Sequence, residues 1–287
     1  MKHVHVSELE PRRFSSEHTC GEGYPLVIDG ALDAIGPCSM KWLVELLPDK
    51  GMPARLYGPG HFDKPKAEWK KYSDIIHVRP CEYADMLLQG RAREESIYLA
   101  QVPIGESALG AHLRPAIDRV GTATGLRAAI DLNLWWGPGG HTEPLHYDSG
   151  DGTLAQLYGE KQVALFAPSQ SKNLYPFPLS RRGIAPWISR VYLNRPDDER
   201  FPRLKLALPH RLDVTLKAGQ ILYIPANWWH EVTAVSSGFI VSINRFWKVA
   251  PLTRLFSNRV TPVVYPISML ALALARRRAS AGHKVEA

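Results

Sequence analysis

The stretch HTEPLHYD, residues 141–148, together with ILYIPANWWH at 221–230, decides the fold that this chain is expected to adopt. His146 and Asp148 lie two residues apart in an extended-looking run, so both side chains leave the same face of a strand. His230 ends the second strand-like run. Two histidines and one carboxylate that meet at one point form the facial triad typical of non-haem Fe(II), with coordination positions left open. The pattern predicts an oxygenase.

The sequence around these two stretches predicts a β structure. From about residue 129, short apolar or alternating runs such as IDLNLWW, KQVALFAP and FIVSINRFW are separated by turn signals such as GPGG and SGDG. Many short strands at this spacing predict a sandwich or a closed barrel. We therefore expect a mainly β catalytic core over 129–250, a mixed α/β part over 1–128 packed on it, and a helical segment over 251–287.

Four elements are predicted in the N-terminal part from apolar periodicity and from residues that end helices. They are a strand in PLVIDGAL (25–32), a helix in MKWLVELLPDKG (40–51), a helix in PCEYADMLLQG (80–90) and a strand in SIYLAQ (96–101).

The composition of the 287 residues is that of a globular protein, with 45% hydrophobic and 22% charged residues. The net charge of +7 permits an acidic partner without requiring one. Cys20, Cys38 and Cys81 form no CxxC motif and are read as free thiols in a reducing, cytoplasmic compartment. The apolar stretch 263–275 is interrupted by Pro266 and is shorter than the roughly 20 residues of a membrane span, so we expect no membrane insertion.

A proline-rich excursion over 168–212 interrupts the predicted strands, and such long excursions are typical of binding loops or lids. Its basic residues allow two interpretations, a solvated surface or a wall that attracts an acidic substrate. Between 180 and 211 it carries eight basic residues (Arg181, Arg182, Arg190, Arg195, Arg200, Arg203, Lys205, Arg211) against three acidic ones (Asp197, Asp198, Glu199).

Lys161 opens the strand-like run KQVALFAP after a Tyr-Gly-Glu turn. A lysine on the inward face of an apolar barrel is costly unless it meets an anion, such as the distal carboxylate of 2-oxoglutarate. The alternative is a hairpin lysine that points into water, and the spacing alone favours it.

Five motifs together resemble the JmjC-type, cupin-fold 2-oxoglutarate oxygenases, most closely the group of the hypoxia-inducible-factor asparaginyl hydroxylase. The likeness is dense from about 129 to 248, and it implies a double-stranded β-helix, or jelly roll, with Fe(II), 2-oxoglutarate and O2 as cofactor and co-substrates. The motifs are WWGPGGHTEPLHYDSGDGTLAQLYGEKQVALFAP (135–168), LYPFPL (174–179), RPDDERFP (195–202), AGQILYIPANWWHEV (218–232) and INRFWK (243–248).

Site roles follow from the resemblance by position. It implies iron ligation by the triad, binding of the distal carboxylate of 2-oxoglutarate by Lys161 and Tyr98, and a place for Asn244 near the chelating end. The threonine that the family often carries three residues before the first iron histidine is here Glu143, preceded by Thr142. A carboxylate beside Lys161 would repel the co-substrate. We therefore expect that Glu143 points elsewhere or that Thr142 takes the role.

Other departures fall on the substrate side, so asparagine hydroxylation is not carried over. They are Gly152, Arg245 and a position near Ile188. Arg245, Glu143, Trp229 and Arg190 are the candidate substrate contacts. An apolar wall of the pocket and plain core packing are the two interpretations of the tryptophans at 135, 136, 228 and 229.

The favoured function is hydroxylation of an unactivated C–H bond on a peptide or protein side chain, with release of succinate and CO2. A small-molecule or nucleoside substrate is the alternative, and a nucleic acid or an anionic substrate stays open. N-demethylation uses the same chemistry, and a non-catalytic cupin is a third hypothesis. The segment from 251 resembles, in position, a helical dimerisation segment, which predicts a homodimer.

Overall fold

The computed structural model describes residues 1–61, 64, 66, 68, 73–178 and 186–257. The helices are α1 (Pro11–His18), α2 (Met40–Leu46), α3 (Pro80–Leu88), α4 (Arg91–Glu94), α5 (Ala108–Thr124) and α6 (Leu204–Ala207). The strands are β1 (His3–His5), β2 (Leu26–Asp29), β3 (Met52–Leu56), β4 (Asp74–Val78), β5 (Ile97–Pro103), β6 (Asn133–Pro138), β7 (Thr142–Tyr147), β8 (Asp151–Tyr158), β9 (Lys161–Phe166), β10 (Leu212–Leu216), β11 (Ile221–Ile224), β12 (Trp229–Ala234) and β13 (Phe239–Trp247).

The strands of the described residues form two sheets. The larger has nine strands in the order β1-β2-β11-β8-β13-β6-β5-β3-β4, and the smaller has four in the order β10-β9-β12-β7. Except for the parallel β1–β2 pair, neighbouring strands are antiparallel. From β6 to β13 the chain passes from one sheet to the other at each step except β9 to β10, which pair within the small sheet, and this connectivity is that of a jelly roll. The predicted mainly β jelly-roll fold is confirmed.

The N-terminal elements begin and end where local chemistry dictates. The hydroxyl of Ser39 accepts the backbone N–H of Trp42 and caps α2, and the helix ends at Leu46, just ahead of Pro48. The four predicted elements in this part correspond to β2, α2, α3 and β5. All five N-terminal strands extend the sheet of the predicted core.

The long helix α5 covers the large sheet, although no periodicity argument predicted it. Ser107 caps its first turn by accepting the N–H of Gly110, and Gly125 ends it with a φ of 74°. Its buried face includes Leu113, Ile117 and Val120, which join the main hydrophobic core.

The excursion over 168–212 packs on the outer side of the small sheet. Its residues Leu174, Val191 and Phe201 form a cluster with Tyr147 and Trp229 from that sheet. This segment therefore has its own core, and 179–185 lie outside the described residues.

The C-terminal segment is described only to Ser257, in a short 3-10 turn over Leu252–Ser257. The apolar stretch 263–275 and the rest of the segment for which a homodimer was predicted lie outside the described residues. Among the helices that are described, none has the length and apolar character needed to cross a membrane.

Candidate metal centre and co-substrate pocket

The three predicted metal ligands converge at one point. His146 lies on β7 opposite His230 on β12, and Asp148 directly follows the end of β7. One ligand atom from each of the three residues lies within 4.8 Å of the others. The Nε2 atom of His230 is 3.6 Å from Oδ2 of Asp148. The antiparallel register of these two strands therefore builds the triad that the spacing predicts.

Backbone carbonyls fix which nitrogen of each histidine is free. His146 Nδ1 donates to the carbonyl oxygen of Pro144 at 2.7 Å, and His230 Nδ1 donates to that of Trp228 at 3.0 Å. A carbonyl can only accept, so the proton of each neutral ring sits on Nδ1 and the lone pair on Nε2. Carbonyl partners of this kind orient metal-binding histidines in general.

The electrostatics of the triad suit a cation. Burial and, to a smaller extent, the neighbouring His146 lower the pKa of His230 to about 3, so the ring is neutral and able to ligate. Burial raises the pKa of Asp148 above its ordinary value; His146 opposes this effect and Glu143 adds to it. Two imidazole Nε2 atoms and one carboxylate that converge in this way are a donor set that fits a divalent metal ion.

The turn before β12 holds Asp148 in place. The backbone N–H of Asn227 donates to the carbonyl oxygen of Asp148 at 2.8 Å. Asn227 adopts a left-handed conformation with a φ of 68°, which asparagine tolerates better than most residues. Its side-chain amide donates to the carbonyl oxygen of Arg254 at 3.1 Å. The candidate metal ligand Asp148 is thus tied to the C-terminal turn.

A cavity of roughly 340 Å³ opens over the triad, a volume typical of small-molecule sites. Lys161 lines it and is 4% exposed, with Nζ donating to Ser242 Oγ at 2.6 Å. Burial lowers the pKa of this ammonium to about 8, against an opposing effect of Glu143. Lys161 therefore points inward, and the interpretation as a water-facing hairpin lysine is wrong.

Asn244 lines the same cavity, as the resemblance implied. Its Oδ1 accepts the indole N–H of Trp135 at 2.8 Å, which fixes the orientation of the amide. Trp135 also lines the cavity, whereas Trp136 and Trp228 are buried elsewhere in the cores. Of the four tryptophans considered for an apolar wall of the pocket, Trp135 is the one that lines the cavity.

An irregularity in β7 turns Glu143 into the cavity. His146 pairs with His230 and Glu143 with Val232, so three steps on β7 oppose two on β12. Because of the extra residue, Glu143 and His146 both line the cavity in spite of their odd spacing. The expectation that Glu143 points elsewhere is wrong.

Thr142 consequently lies outside the cavity wall, which corrects its expected place beside 2-oxoglutarate. Its hydroxyl is 3.0 Å from that of Thr233 across the strand pair. His141, directly before Thr142, has its Nε2 atom 3.4 Å from Oε1 of Glu143.

Tyr98 is buried beside this group without lining the cavity itself. Its ring stacks on that of His141 with centroids 4.1 Å apart. Burial raises its pKa, and Glu143 and Tyr57 raise it further, so its hydroxyl stays protonated. Direct contact with 2-oxoglutarate stays a prediction for this residue.

Two of the predicted substrate contacts face away from the cavity. Arg245 forms an ion pair with Asp118 of α5, and its guanidinium lies 5.1 Å from the ring centroid of Trp247. Its strand neighbour Asn244 takes the cavity side, since side chains alternate along a strand. Trp229 is fully buried and donates its indole N–H to Ser171 Oγ at 2.8 Å. Both residues are structural supports here.

Arg190, a third predicted substrate contact, also lies away from the cavity. Its guanidinium lies 5.7 Å from the ring centroid of Tyr175 and 5.8 Å from that of Phe201. Arg200 and Arg203 make similar contacts with these two rings. None of the basic residues of the excursion that the structure describes lines the cavity, so they do not form the proposed wall for an acidic substrate. Arg181 and Arg182 lie outside the described residues.

The cavity residues that sequence reasoning missed include Arg55, Gln101 and Trp187. Arg55 arrives through the pairing of β3 with β5, and Gln101 through a register shift in β5 where its φ is 57°. Trp187 is 39% exposed at the cavity and precedes Ile188, which bridges to His146. Ile188 was expected near the substrate side from the resemblance, and it does line the cavity.

A jelly roll with a His-Asp-His cluster opening into a cavity defines a cupin of the JmjC type. The chain matches the model of the cupin-like domain family over residues 11–252 and belongs to that family.

The chain also matches named relatives over part of their lengths. The chain is 30% identical to lysine-specific demethylase 8 of Xenopus tropicalis over 251 residues, 85% of this chain and 52% of the relative. It is 38% identical to JmjC domain-containing protein D of Dictyostelium discoideum over 112 residues, 39% and 24% of the two chains. It is 37% identical to human HSPB1-associated protein 1 over 121 residues, which are 41% of this chain and 24% of the relative.

The chain thus spans about half the length of the demethylase 8 relative that it matches. These likenesses support the JmjC class, and the finer likeness to the asparaginyl hydroxylase group stays a prediction.

Proposed function

We propose that this chain is an Fe(II)- and 2-oxoglutarate-dependent oxygenase that hydroxylates a C–H bond on a peptide or protein side chain. One observation carries the proposal. The donor atoms of His146, Asp148 and His230 gather within 4.8 Å at a cavity whose wall also holds the buried ammonium of Lys161. A facial triad and a buried cation in one small cavity suit a metal ion together with a carboxylate co-substrate.

The metal and the chain have separate tasks. Bound Fe(II) supplies the redox chemistry in which O2 and 2-oxoglutarate give succinate and CO2, with one oxygen atom going to succinate and the other into the substrate C–H bond. The triad holds the ion, with each histidine presenting Nε2 because Nδ1 is bound to a carbonyl. Lys161 attracts the distal carboxylate and orients the co-substrate.

The apolar part of the cavity wall keeps the reacting groups away from bulk water. Trp135, Ile188, Val232 and Phe246 contribute to it, and the half-exposed Trp187 lies at the same cavity. Apolar surroundings also strengthen the attraction between Lys161 and a carboxylate, since the local dielectric constant is low.

A protein substrate is favoured by the relatives. Two matched relatives are named lysine-specific demethylases, one from Xenopus tropicalis and one, JMJ31, from Arabidopsis thaliana. Demethylation of an N-methyl group begins with hydroxylation of its carbon, so the same residues serve either outcome. The two outcomes differ in the product, an added oxygen or a lost methyl group with formaldehyde.

The proposal is tested by turnover. Purified protein is supplied with Fe(II), 2-oxoglutarate and O2, and succinate is measured with and without peptide pools and small-molecule extracts. We expect succinate formation stimulated by a peptide, and a peptide mass raised by one oxygen atom or lowered by one methylene. His146→Ala should abolish both signals, and Lys217→Met, which changes an exposed lysine, is the matched surface control. Succinate release no greater than that of His146→Ala would contradict the proposal, and oxidation of a metabolite alone would move the substrate to the small-molecule class.

A further inference from the structure

Glu143 places an acid in a cavity that, on the proposed function, receives a dicarboxylate. Its side chain is 18% exposed and shares the cavity wall with Lys161 and the metal ligands. A carboxylate there repels an incoming carboxylate, and it competes for the charge of Lys161. The cavity therefore needs a way to neutralise Glu143.

Two neighbouring groups hold one oxygen of this carboxylate. His141 Nε2 donates to Oε1 of Glu143 at 3.4 Å, and Nη1 of Arg55 lies 3.9 Å from the same oxygen. Both groups are themselves positioned, since His141 stacks on Tyr98 and Arg55 donates to the hydroxyl of Tyr57 at 3.3 Å. Glu143 is thus drawn toward β3 and β5.

This arrangement keeps Glu143 ionised and paired with His141 and Arg55. Burial opposes its ionisation, but the hydrogen bond from His141 and the positive charge of Arg55 lower its pKa to about 2. Lys161 meanwhile donates to a neutral partner, the hydroxyl of Ser242. The ammonium of Lys161 is then available to an anion from the cavity.

The charges of the cavity also match those of the co-substrate. Arg55 and Glu143 cancel each other, which leaves the positive charge of Lys161 at one end. A divalent ion bound beside the carboxylate of Asp148 leaves one further positive charge at the other end. The two carboxylates of 2-oxoglutarate complement this distribution, because a buried charge is stable only when it is paired.

We propose that Arg55 is a positioning residue that sets co-substrate affinity by neutralising Glu143, so that Lys161 remains free for the distal carboxylate. Arg55 acts through Glu143 and makes no direct bond to the co-substrate. Its effect therefore depends on the negative charge at position 143, which a double-mutant cycle measures.

The test compares the wild type with Arg55→Met, Glu143→Gln and the double variant. Each protein is loaded with Mn(II), and the Kd for 2-oxoglutarate is measured by calorimetry without turnover. We expect Arg55→Met to weaken binding about tenfold or more, as an unpaired like charge would. Glu143→Gln should bind at least as tightly as the wild type, and the double variant should return to within about threefold of Glu143→Gln.

Two further measurements separate positioning from loss of structure. Arg55→Lys keeps the charge and should bind close to the wild type, and thermal unfolding midpoints show whether each variant is folded. In turnover assays Arg55→Met should raise KM for 2-oxoglutarate more than it changes kcat.

The outcomes that overturn the inference are distinct from failure of the proposed function. A double variant as weak as Arg55→Met means that Arg55 grips the co-substrate itself, and equal affinity in all variants means that Arg55 has no role in binding. Either result overturns the inference alone. A wild type that binds no 2-oxoglutarate overturns the proposed function and the inference with it.

Discussion

Lys161 is the residue at which burial and charge conflict most directly. Its ammonium is almost fully buried in the cavity that holds the candidate metal ligands, and burial lowers its pKa to about 8. An ammonium with a lowered pKa is charged below that pH and neutral above it. At neutral pH the group is mainly protonated, which is the form that attracts a carboxylate.

Affinity for 2-oxoglutarate should therefore fall as the pH rises through about 8. The physical reason is loss of the Lys161 proton, which removes the charge that pairs with the distal carboxylate. Calorimetric Kd values measured across this pH range on Mn(II)-loaded protein check the prediction. In the Lys161→Arg variant the side chain keeps its charge at every pH of the series. The affinity of this variant for 2-oxoglutarate should therefore fall much less with pH, or not at all. A wild-type affinity that is flat through this range would show that Lys161 does not bind the co-substrate as an ammonium.

At the scale of elements, the adjacent residues Asn244 and Arg245 point to opposite faces of β13 and have different roles. On β13, Asn244 faces the cavity while Arg245 links the strand to α5 through Asp118. The Arg245 guanidinium also donates to the carbonyl oxygen of Ile130 at 3.4 Å. The sequence placed both residues near the site because the motif is continuous, but alternation along the strand separates them.

Arg245→Met should lower the free energy of unfolding by about 1 kcal/mol, since one partner of the pair, Asp118, is half exposed. The KM for 2-oxoglutarate should stay within error of the wild type, because the side chain faces away from the cavity. Chemical denaturation and steady-state kinetics measure the two quantities. A large rise in KM with unchanged stability would restore Arg245 to the substrate side.

The buried pair between Asp151 and Arg254 links β8 to the C-terminal turn. Arg254 donates to both carboxylate oxygens at 2.8 and 2.7 Å, and neither side chain is more than 2% exposed. Tyr223 and the backbone of Ala226 also donate to Oδ1 of Asp151. Because Asn227 bonds to Arg254, the pair also supports the loop that holds Asp148.

Arg254→Met should lower the free energy of unfolding by about 3–5 kcal/mol, because it leaves the Asp151 carboxylate buried without a cation. The double variant with Asp151→Asn should recover much of that loss. Arg91→Ala, which breaks the exposed pair with Glu95, serves as the control and should have no measurable effect. Denaturant midpoints for the four proteins measure these differences, and equal effects of Arg254→Met and Arg91→Ala would contradict this account.

Spacing and periodicity along the sequence predicted the features that depend on residues close together in the chain. The three converging side chains of the candidate metal site follow from a two-residue spacing in one strand and a histidine in another, and α2 and β2 follow from periodicity and end signals. Arg55 could not be predicted, because it reaches the cavity through the long-range pairing of β3 with β5. The orientation of Glu143 depends on an extra residue in β7 whose position is set by pairing with β12.

At the scale of the whole molecule, the two candidate metal-binding histidines lie on the inner face of the small sheet, and the excursion over 168–212 packs on its outer face. The nine-stranded sheet carries Asn244 and Thr153 to the cavity, while α5 covers its other face. The excursion contributes Trp187 and Ile188 to the cavity, while its Arg190 and Arg203 lie against its own aromatic rings. Basic residues near a site in sequence are therefore poor guides to the charge inside it.

The central claim is that His146, Asp148 and His230 bind one ferrous ion that still has room for 2-oxoglutarate. The most direct measurement is anaerobic titration of Fe(II) into the protein with 2-oxoglutarate present, following the visible charge-transfer band of a 2-oxo acid chelated to iron. We expect the band to rise to one equivalent of iron in the wild type and to be absent in His230→Ala. A wild type without the band, or a band of equal strength in His230→Ala, would contradict the claim.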